Sequence, residues 1–172
     1  MKTKLEVDKF VNDFEILGRE LTKKLCEENN WGFFNTNNTS YPYDCFIDIG
    51  NEHCMGEIKV RDVKFKKKTT LHFEVKKYKK LKAECERKKA DKLFYINWLG
   101  DECFIFNITD DLISKCERGI SFSNKVTAES RDIENKVDKE MYFLPKIFAK
   151  RYILTDYEKI KRKIVEEFNL NI

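Results

Sequence analysis

A chain of 172 residues with 41% hydrophobic residues, fourteen phenylalanines and a net charge of +4 is too apolar for disorder. It has the size of one domain that folds without staples. No apolar run nears the ~18 residues of a membrane span, and Met1-Lys2-Thr3-Lys4-Leu5-Glu6 is no apolar signal region, so a cytoplasmic protein with no membrane partner is expected.

Residues 7–28 read as a helix. Val7, Phe10, Phe14, Leu17, Leu21 and Leu25 recur at helical spacing as its buried stripe, flanked by Glu15 and Glu20. Residues 31–40 are polar and carry Asn35, Asn37 and Asn38 before Ser40, which reads as a loop entering just ahead of Asp44.

Residues 41–59 read as two strands joined by a turn at Gly50-Asn51. With a two-residue turn, partner numbers sum to 101, so Asp44 lies opposite Glu57 and Lys59 shares their face. A four-residue loop keeps all three groups together, whereas a three-residue loop sends Asp44 to the other face. An even loop places Tyr43, Cys45, Ile47 and Ile49 with Cys54, Ile58 and Val60 in an apolar layer, which leaves a cross-strand contact between Cys45 and Cys54 open. Asp44, Phe46, Asp48, His53, Met55, Glu57 and Lys59 form the other face, the one for chemistry. Two carboxylates about 5 Å apart across a ladder repel unless a cation lies between them. A divalent ion with oxygen ligands suits that place, and an adjacent lysine suits a phosphate or a water.

Residues 61–70 form a basic connection, and residues 71–90 a helix with Val75, Tyr78, Leu81 and Cys85 inward. Residues 93–98 and 103–108 are apolar on both faces around a turn at Gly100-Asp101, as strands covered by helices are. Residues 109–140 are charged and weakly periodic, with Asp110-Asp111 capping a short helix through Leu112 and Ile113. Residues 141–144 suggest a short strand ended by Pro145. Thr155-Asp156-Tyr157-Glu158 has capping-box form and opens a last helix with Ile160, Ile164, Val165 and Phe168 inward. The six cysteines lack Cys-x-x-Cys spacing, and His53 and His72 are not placed as finger ligands, so buried free thiols are expected rather than zinc.

Pro42-x-Asp44 followed by Glu57-x-Lys59 after a hairpin resembles the PD-(D/E)xK nuclease superfamily, with Tyr43 inserted between the proline and the aspartate. The resemblance covers roughly residues 10–108 as an order of elements. Glu-x-Lys alone is weak: Glu74, Glu86 and Glu134 begin the same pattern and Asp62 its aspartate version. Only Glu57 combines a strand, a preceding Gly56 and an acidic partner across a hairpin. An ordinary amphipathic hairpin with a solvated charged face is the bland alternative.

The resemblance implies a restriction-endonuclease-like α/β (α+β) fold: a single domain with a central mixed β-sheet flanked by helices. Its core spans about residues 7–108, with a C-terminal strand and helix extension over 109–172. It implies that Asp44, Glu57 and the Ile58 backbone carbonyl hold Mg²⁺ or Mn²⁺, and that Lys59 orients the attacking water or the scissile phosphate. Hydrolysis would leave a 5′-phosphate and a 3′-hydroxyl. A glutamate from the first helix often joins the metal in that superfamily. Glu20 is the candidate, with a surface glutamate as the equal alternative, and a second metal through Asp48 or Glu20 stays open. A lysine of the downstream helix contacts the phosphate, which points to Lys77 and Tyr78.

Charge supports a polyanionic partner. Residues 59–92 hold fifteen Lys or Arg against five Asp or Glu, a local +10 that leaves −6 for the rest of the chain. Arg61 and Lys76 join Lys77 and Tyr78 as expected substrate contacts. The expected function is metal-dependent phosphodiester hydrolysis, in DNA before RNA. The alternatives are a non-catalytic nucleic-acid-binding module on a decayed nuclease fold, and an interaction protein with a lysine-rich surface. Compact enzymes of the superfamily often act as dimers on duplex or junction DNA, so a homodimer is among the expectations, though no dimer surface is legible.

Overall fold

The computed structural model describes the backbone of residues 4–36, 41–126 and 131–172, and the side chains of 12–36, 41–121 and 137–172. Asn37, Asn38 and Ser40 of the expected loop lie outside the described residues, as do the side chains of Val7 and Phe10. The elements are α1 (Lys4–Glu28), β1 (Gly32–Asn35), β2 (Cys45–Ile49), β3 (Glu52–Val60), β4 (Thr70–Glu74), α2 (Val75–Lys88), β5 (Lys92–Leu99), β6 (Glu102–Asn107), α3 (Asp110–Ser114), β7 (Glu117–Val126), β8 (Arg131–Pro145), β9 (Lys150–Ile153) and α4 (Tyr157–Phe168). Short 3₁₀ turns lie at Val63–Lys67 and Lys146–Phe148.

Six strands form a mixed sheet in the order β1-β2-β3-β5-β6-β9, and β4-β8-β7 form a second, smaller sheet. Within the large sheet β3 and β5 run parallel, and the other neighbours run antiparallel. A parallel pair needs a crossover, and β4 with α2 supplies it. The chain is thus a single α/β domain built on a central mixed sheet, as expected.

Each face of the large sheet has its own core. On one, Leu17, Leu21 and Leu25 of α1 and Ile164 of α4 pack on Ile47, Ile58, Ile96 and Trp98. On the other, Tyr78 and Leu81 of α2, with Leu71, Phe73 and Leu144 of the small sheet, cover Met55, Leu93, Tyr95 and Phe106. This double cover explains why every residue from Leu93 to Leu99 is buried. Gly18 brings α1 close to β3: a Cβ there would meet Val60 Cγ2 at 2.9 Å and Ile58 Cγ2 at 3.0 Å. Asn30, at φ +56°, ends α1 in the left-handed conformation, and the Trp31 N–H returns to the Cys26 carbonyl at 2.9 Å.

The first helix, the Gly50-Asn51 turn and the strands on either side of Gly100-Asp101 stand where the sequence put them. Other expectations need correction. Residues 32–35 are not loop: Phe33 and Phe34 form an edge strand that satisfies the outer edge of β2, an opportunity local asparagine content does not reveal. The helix of residues 71–90 begins only at Val75. Thr70–Glu74 alternates buried Leu71 and Phe73 with half-exposed neighbours and pairs with Met141–Pro145. The short strand at 141–144 is the end of fifteen-residue β8, which pairs with β7 through a stretch that looked irregular. Strand β9 was not anticipated.

Smaller corrections concern caps and faces. Thr109, rather than Asp110-Asp111, caps α3, its Oγ1 accepting from Leu112 N–H at 3.1 Å. Asp156, at φ +56° and without a side-chain cap bond, precedes α4, so the capping box does not form, and Phe168 is exposed rather than inward. Cys45 faces Gly56, not Cys54. All six cysteines are free thiols. Burial pushes the Cys54 thiol up to about 11 and Cys26 up to about 12.

Candidate active site

The β2–β3 register runs from Ile49↔Glu52 to Cys45↔Gly56, each pair summing to 101, so the two-residue turn holds. The ladder stops one step short of Asp44. Its N–H donates to the Gly56 carbonyl at 2.8 Å, and Thr36 N–H donates to the Asp44 carbonyl at 3.0 Å. With alternation broken there, Tyr43 turns to the α2 side and is buried with Met55, instead of joining Cys45 and Ile47. The Asp44 side chain replaces the missing ladder acceptor: Oδ2 accepts from the Ile58 N–H at 2.7 Å. A strand residue sends its N–H and C=O to the same edge, so the Ile58 carbonyl also faces that side. Arg19 of α1 reaches Asp44 Oδ1 at 3.3 Å.

Glu57 is 1% exposed. On the opposite face, Gly56 makes room for β2, because a Cβ at that position would lie 2.7 Å from Cys45 Sγ. Two ammonium groups bracket the carboxylate. Lys59 Nζ lies 2.8 Å from Oε1, and Lys77 Nζ, from α2, lies 3.0 Å from Oε2. Charge dominates both contacts, and these two ammonium groups compensate the buried carboxylate. Burial raises the Glu57 pKa above its usual 4.5, Asp44 adds to the rise, and the two lysines offset only part of it. Burial works against the Lys59 ammonium, but the Glu57 and Asp44 carboxylates outweigh it and hold its pKa above the usual lysine value. With its side chain 42% exposed, Lys59 joins this buried charge to solvent.

Behind this group lies a second polar layer on the same face of the sheet. Arg61 donates from Nε to Asn97 Oδ1 at 2.7 Å and from Nη2 to the His72 carbonyl at 2.7 Å, and it contacts the Tyr95 hydroxyl. Tyr95 OH also donates to the His72 carbonyl at 2.9 Å. Glu57 pairs with Tyr95 and Lys59 with Asn97 across the parallel β3–β5 ladder, which is why these groups share one face. Burial raises the Tyr95 pKa and lowers that of His72, leaving both neutral at pH 7.

The structure therefore brings Asp44, Glu57, Ile58, Lys59 and Lys77 together. Arg61 is turned inward, Tyr78 donates from its hydroxyl to Asp110 Oδ1 at 2.6 Å, and Lys76 is exposed on α2. Asp48 is engaged by His53 Nδ1 at 2.5 Å. Glu20 acts electrostatically on Lys24, and the α1 residue beside Asp44 is Arg19. Arg19, Tyr95 and Asn97 were missed. Gly18, the residue that sets the helix against β3, was the one signal for Arg19, but its contact with Ile58 and Val60 is tertiary.

Among the described residues, no three His, Cys, Asp or Glu side chains form a group able to hold a metal. Mg²⁺ is ordinarily held by one or two carboxylates, with waters and phosphate oxygens completing its shell. Two neighbouring carboxylates, Asp44 and buried Glu57, and the Ile58 carbonyl beyond the end of the β2–β3 ladder fit that donor set. No protein-family model matches the chain, and no curated protein matches it.

Proposed function

We propose that the protein is a metal-dependent nuclease of PD-(D/E)xK type that hydrolyses phosphodiester bonds, DNA being the first candidate substrate. The observation that carries this reading is the Glu57 carboxylate, 1% exposed and bracketed by the Lys59 and Lys77 ammonium groups beside Asp44. A buried carboxylate of this kind costs stability, and such groups concentrate at functional sites. The order of helix, hairpin and downstream helix around Glu57 agrees with the superfamily resemblance.

Asp44, Glu57 and the Ile58 carbonyl would hold Mg²⁺ or Mn²⁺. Bound there, the ion would polarise a phosphate oxygen and make water acidic. The chain's own groups do the rest. The Ile58 N–H fixes one Asp44 oxygen, leaving the carboxylate's other face to Arg19. Lys59, charged and half exposed, orients the attacking water and stabilises negative charge building on phosphorus. Lys77 neutralises Glu57 from the helix side, and with a cation held there its ammonium would be free for a phosphate.

Arg19 on Asp44 favours a second reading, nucleic-acid binding without hydrolysis, because it satisfies a carboxylate the metal needs. A cleavage assay separates the two. Supercoiled plasmid, single-stranded DNA and RNA are incubated with Mg²⁺, Mn²⁺ or EDTA, using wild type, Glu57→Gln and Lys59→Ala. Cutting that requires metal and vanishes in both variants is expected. Salt-sensitive binding without turnover in wild type would favour the second reading.

A further inference from the structure

Between the segment entering β2 and the outer face of α2 runs an open groove of about 540 Å³, lined by Tyr41, Pro42, Lys77, Lys80, Glu84 and Arg87. Lys77 belongs both to this groove and to the Glu57 ion pair, so one side chain links the groove to the carboxylate. Its wall combines an aromatic ring with cations. Tyr41 is 40% exposed, and its ring lies parallel to that of buried Tyr43, with centroids 5.2 Å apart and planes 5° apart. Tyr43 is wedged edge-on against Phe46 at 5.0 Å, so the Tyr41 ring has a rigid backing. Lys88 Nζ stands 5.4 Å from the Tyr41 centroid, showing that the ring already receives a cation from α2.

The charges are arranged to match. Residues 77, 80, 84 and 87 recur at helical spacing along one face of α2. Glu84 is neutralised by Arg87, whose Nε donates to Oε2 at 2.8 Å, and among the described residues no ion pair holds Lys80. An exposed ring between cations suits a nucleobase with a flanking phosphate, and a base can stack on it only when not paired within a duplex. The volume is that of a small-ligand cleft, room for part of one strand.

We infer that this groove binds an unpaired nucleic-acid strand, with a base stacked on Tyr41 in place of the Lys88 ammonium and the adjoining phosphate on Lys80. That the strand is delivered to Glu57 for cleavage rests on the nuclease reading; the binding itself does not.

The test is fluorescence anisotropy in EDTA, where no turnover occurs. The probes are labelled oligonucleotides of about 12 nucleotides, within the usual site size, as single-stranded DNA, single-stranded RNA and the DNA duplex. Wild type is expected to bind one or both single strands more tightly than the duplex. Tyr41→Ala should weaken single-strand binding roughly tenfold to a hundredfold, whereas Tyr41→Phe should restore it. Lys80→Ala should flatten the log-affinity against log-salt slope by about 0.7, one phosphate's worth. Both positions are exposed, and thermal melts verify that each variant is folded. Equal affinity for duplex, or no effect of Tyr41→Ala, would overturn the inference. Metal-dependent cleavage with Tyr41-indifferent binding would sink the groove and keep the nuclease. Tyr41-dependent binding with no cleavage would do the reverse.

Discussion

The two faces of the central sheet each carry an apolar core but differ in what else they bury. On the α1 face the apolar layer also takes in the Trp98 Nε1–H, donated to Thr22 Oγ1 at 2.9 Å, Thr22's own bond to the Gly18 carbonyl, and buried Asp13, which accepts from the Asn171 N–H at 2.9 Å. The α2 face carries Glu57, Lys59, Arg61, Tyr95 and Asn97 amid Met55, Phe73 and Phe106. Apart from the Arg19 Nε, buried without a partner, the first face hydrogen-bonds these groups within the fold. The other buries a carboxylate that only ammonium groups compensate, and leaves the Asn97 Nδ2 amide without a partner. The cost of burying charge is therefore concentrated on the second face.

Breaking the α1 face should have the largest effect. Trp98→Ala removes a fully buried ring between α1 and β5, and a loss of about 3–5 kcal/mol is expected in urea denaturation. Asp44→Ala, at the junction of the two faces, leaves the Ile58 N–H and Arg19 without their acceptor. It should cost about 1–3 kcal/mol in the same measurement, with Asp44→Asn closer to wild type because its amide oxygen still accepts.

The α2 face should respond in the opposite sense. Folding raises the Glu57 pKa, so the folded protein holds this proton more tightly than the unfolded chain does. Wild-type stability therefore falls as pH rises from about 4.5 through the raised pKa. Glu57→Gln removes that dependence. It should be more stable than wild type at pH 8, with the difference shrinking toward pH 4.5, even as cleavage is lost. A variant less stable than wild type at pH 8 would show that the lysines more than offset the burial. At the small end, Lys82→Ala on the outer surface of α2 breaks an exposed pair with Asp110 and should leave the melting temperature unchanged.

The sequence made local periodicity visible. The stripe of α1, the even turn at Gly50-Asn51 and the doubly apolar β5 and β6 each follow from spacing within a few residues. What escaped depended on distant partners. Leu71 and Phe73 look helical until Met141–Pro145 comes alongside, and Phe33 and Phe34 become a strand only beside β2. The site divides the same way. Asp44, Glu57 and Lys59 meet because one hairpin carries them, whereas Arg19 arrives by helix packing and Tyr95 by a parallel pairing thirty-eight positions along the chain. Even within the hairpin, the ladder's end at Cys45 turned Asp44 from a cross-strand neighbour into a side-chain acceptor for Ile58.

The central claim is that Asp44 and Glu57 form a divalent-cation site. Its most direct test is an amide NMR titration with Mg²⁺, followed by trace Mn²⁺ as a paramagnetic probe, on wild type and Glu57→Gln. The account predicts shifts and Mn²⁺ broadening centred on Asp44 and residues 56–59, with the Ile58 amide among the most affected, and their loss in the variant. Broadening confined to other acidic surfaces, or unchanged by Glu57→Gln, would contradict it.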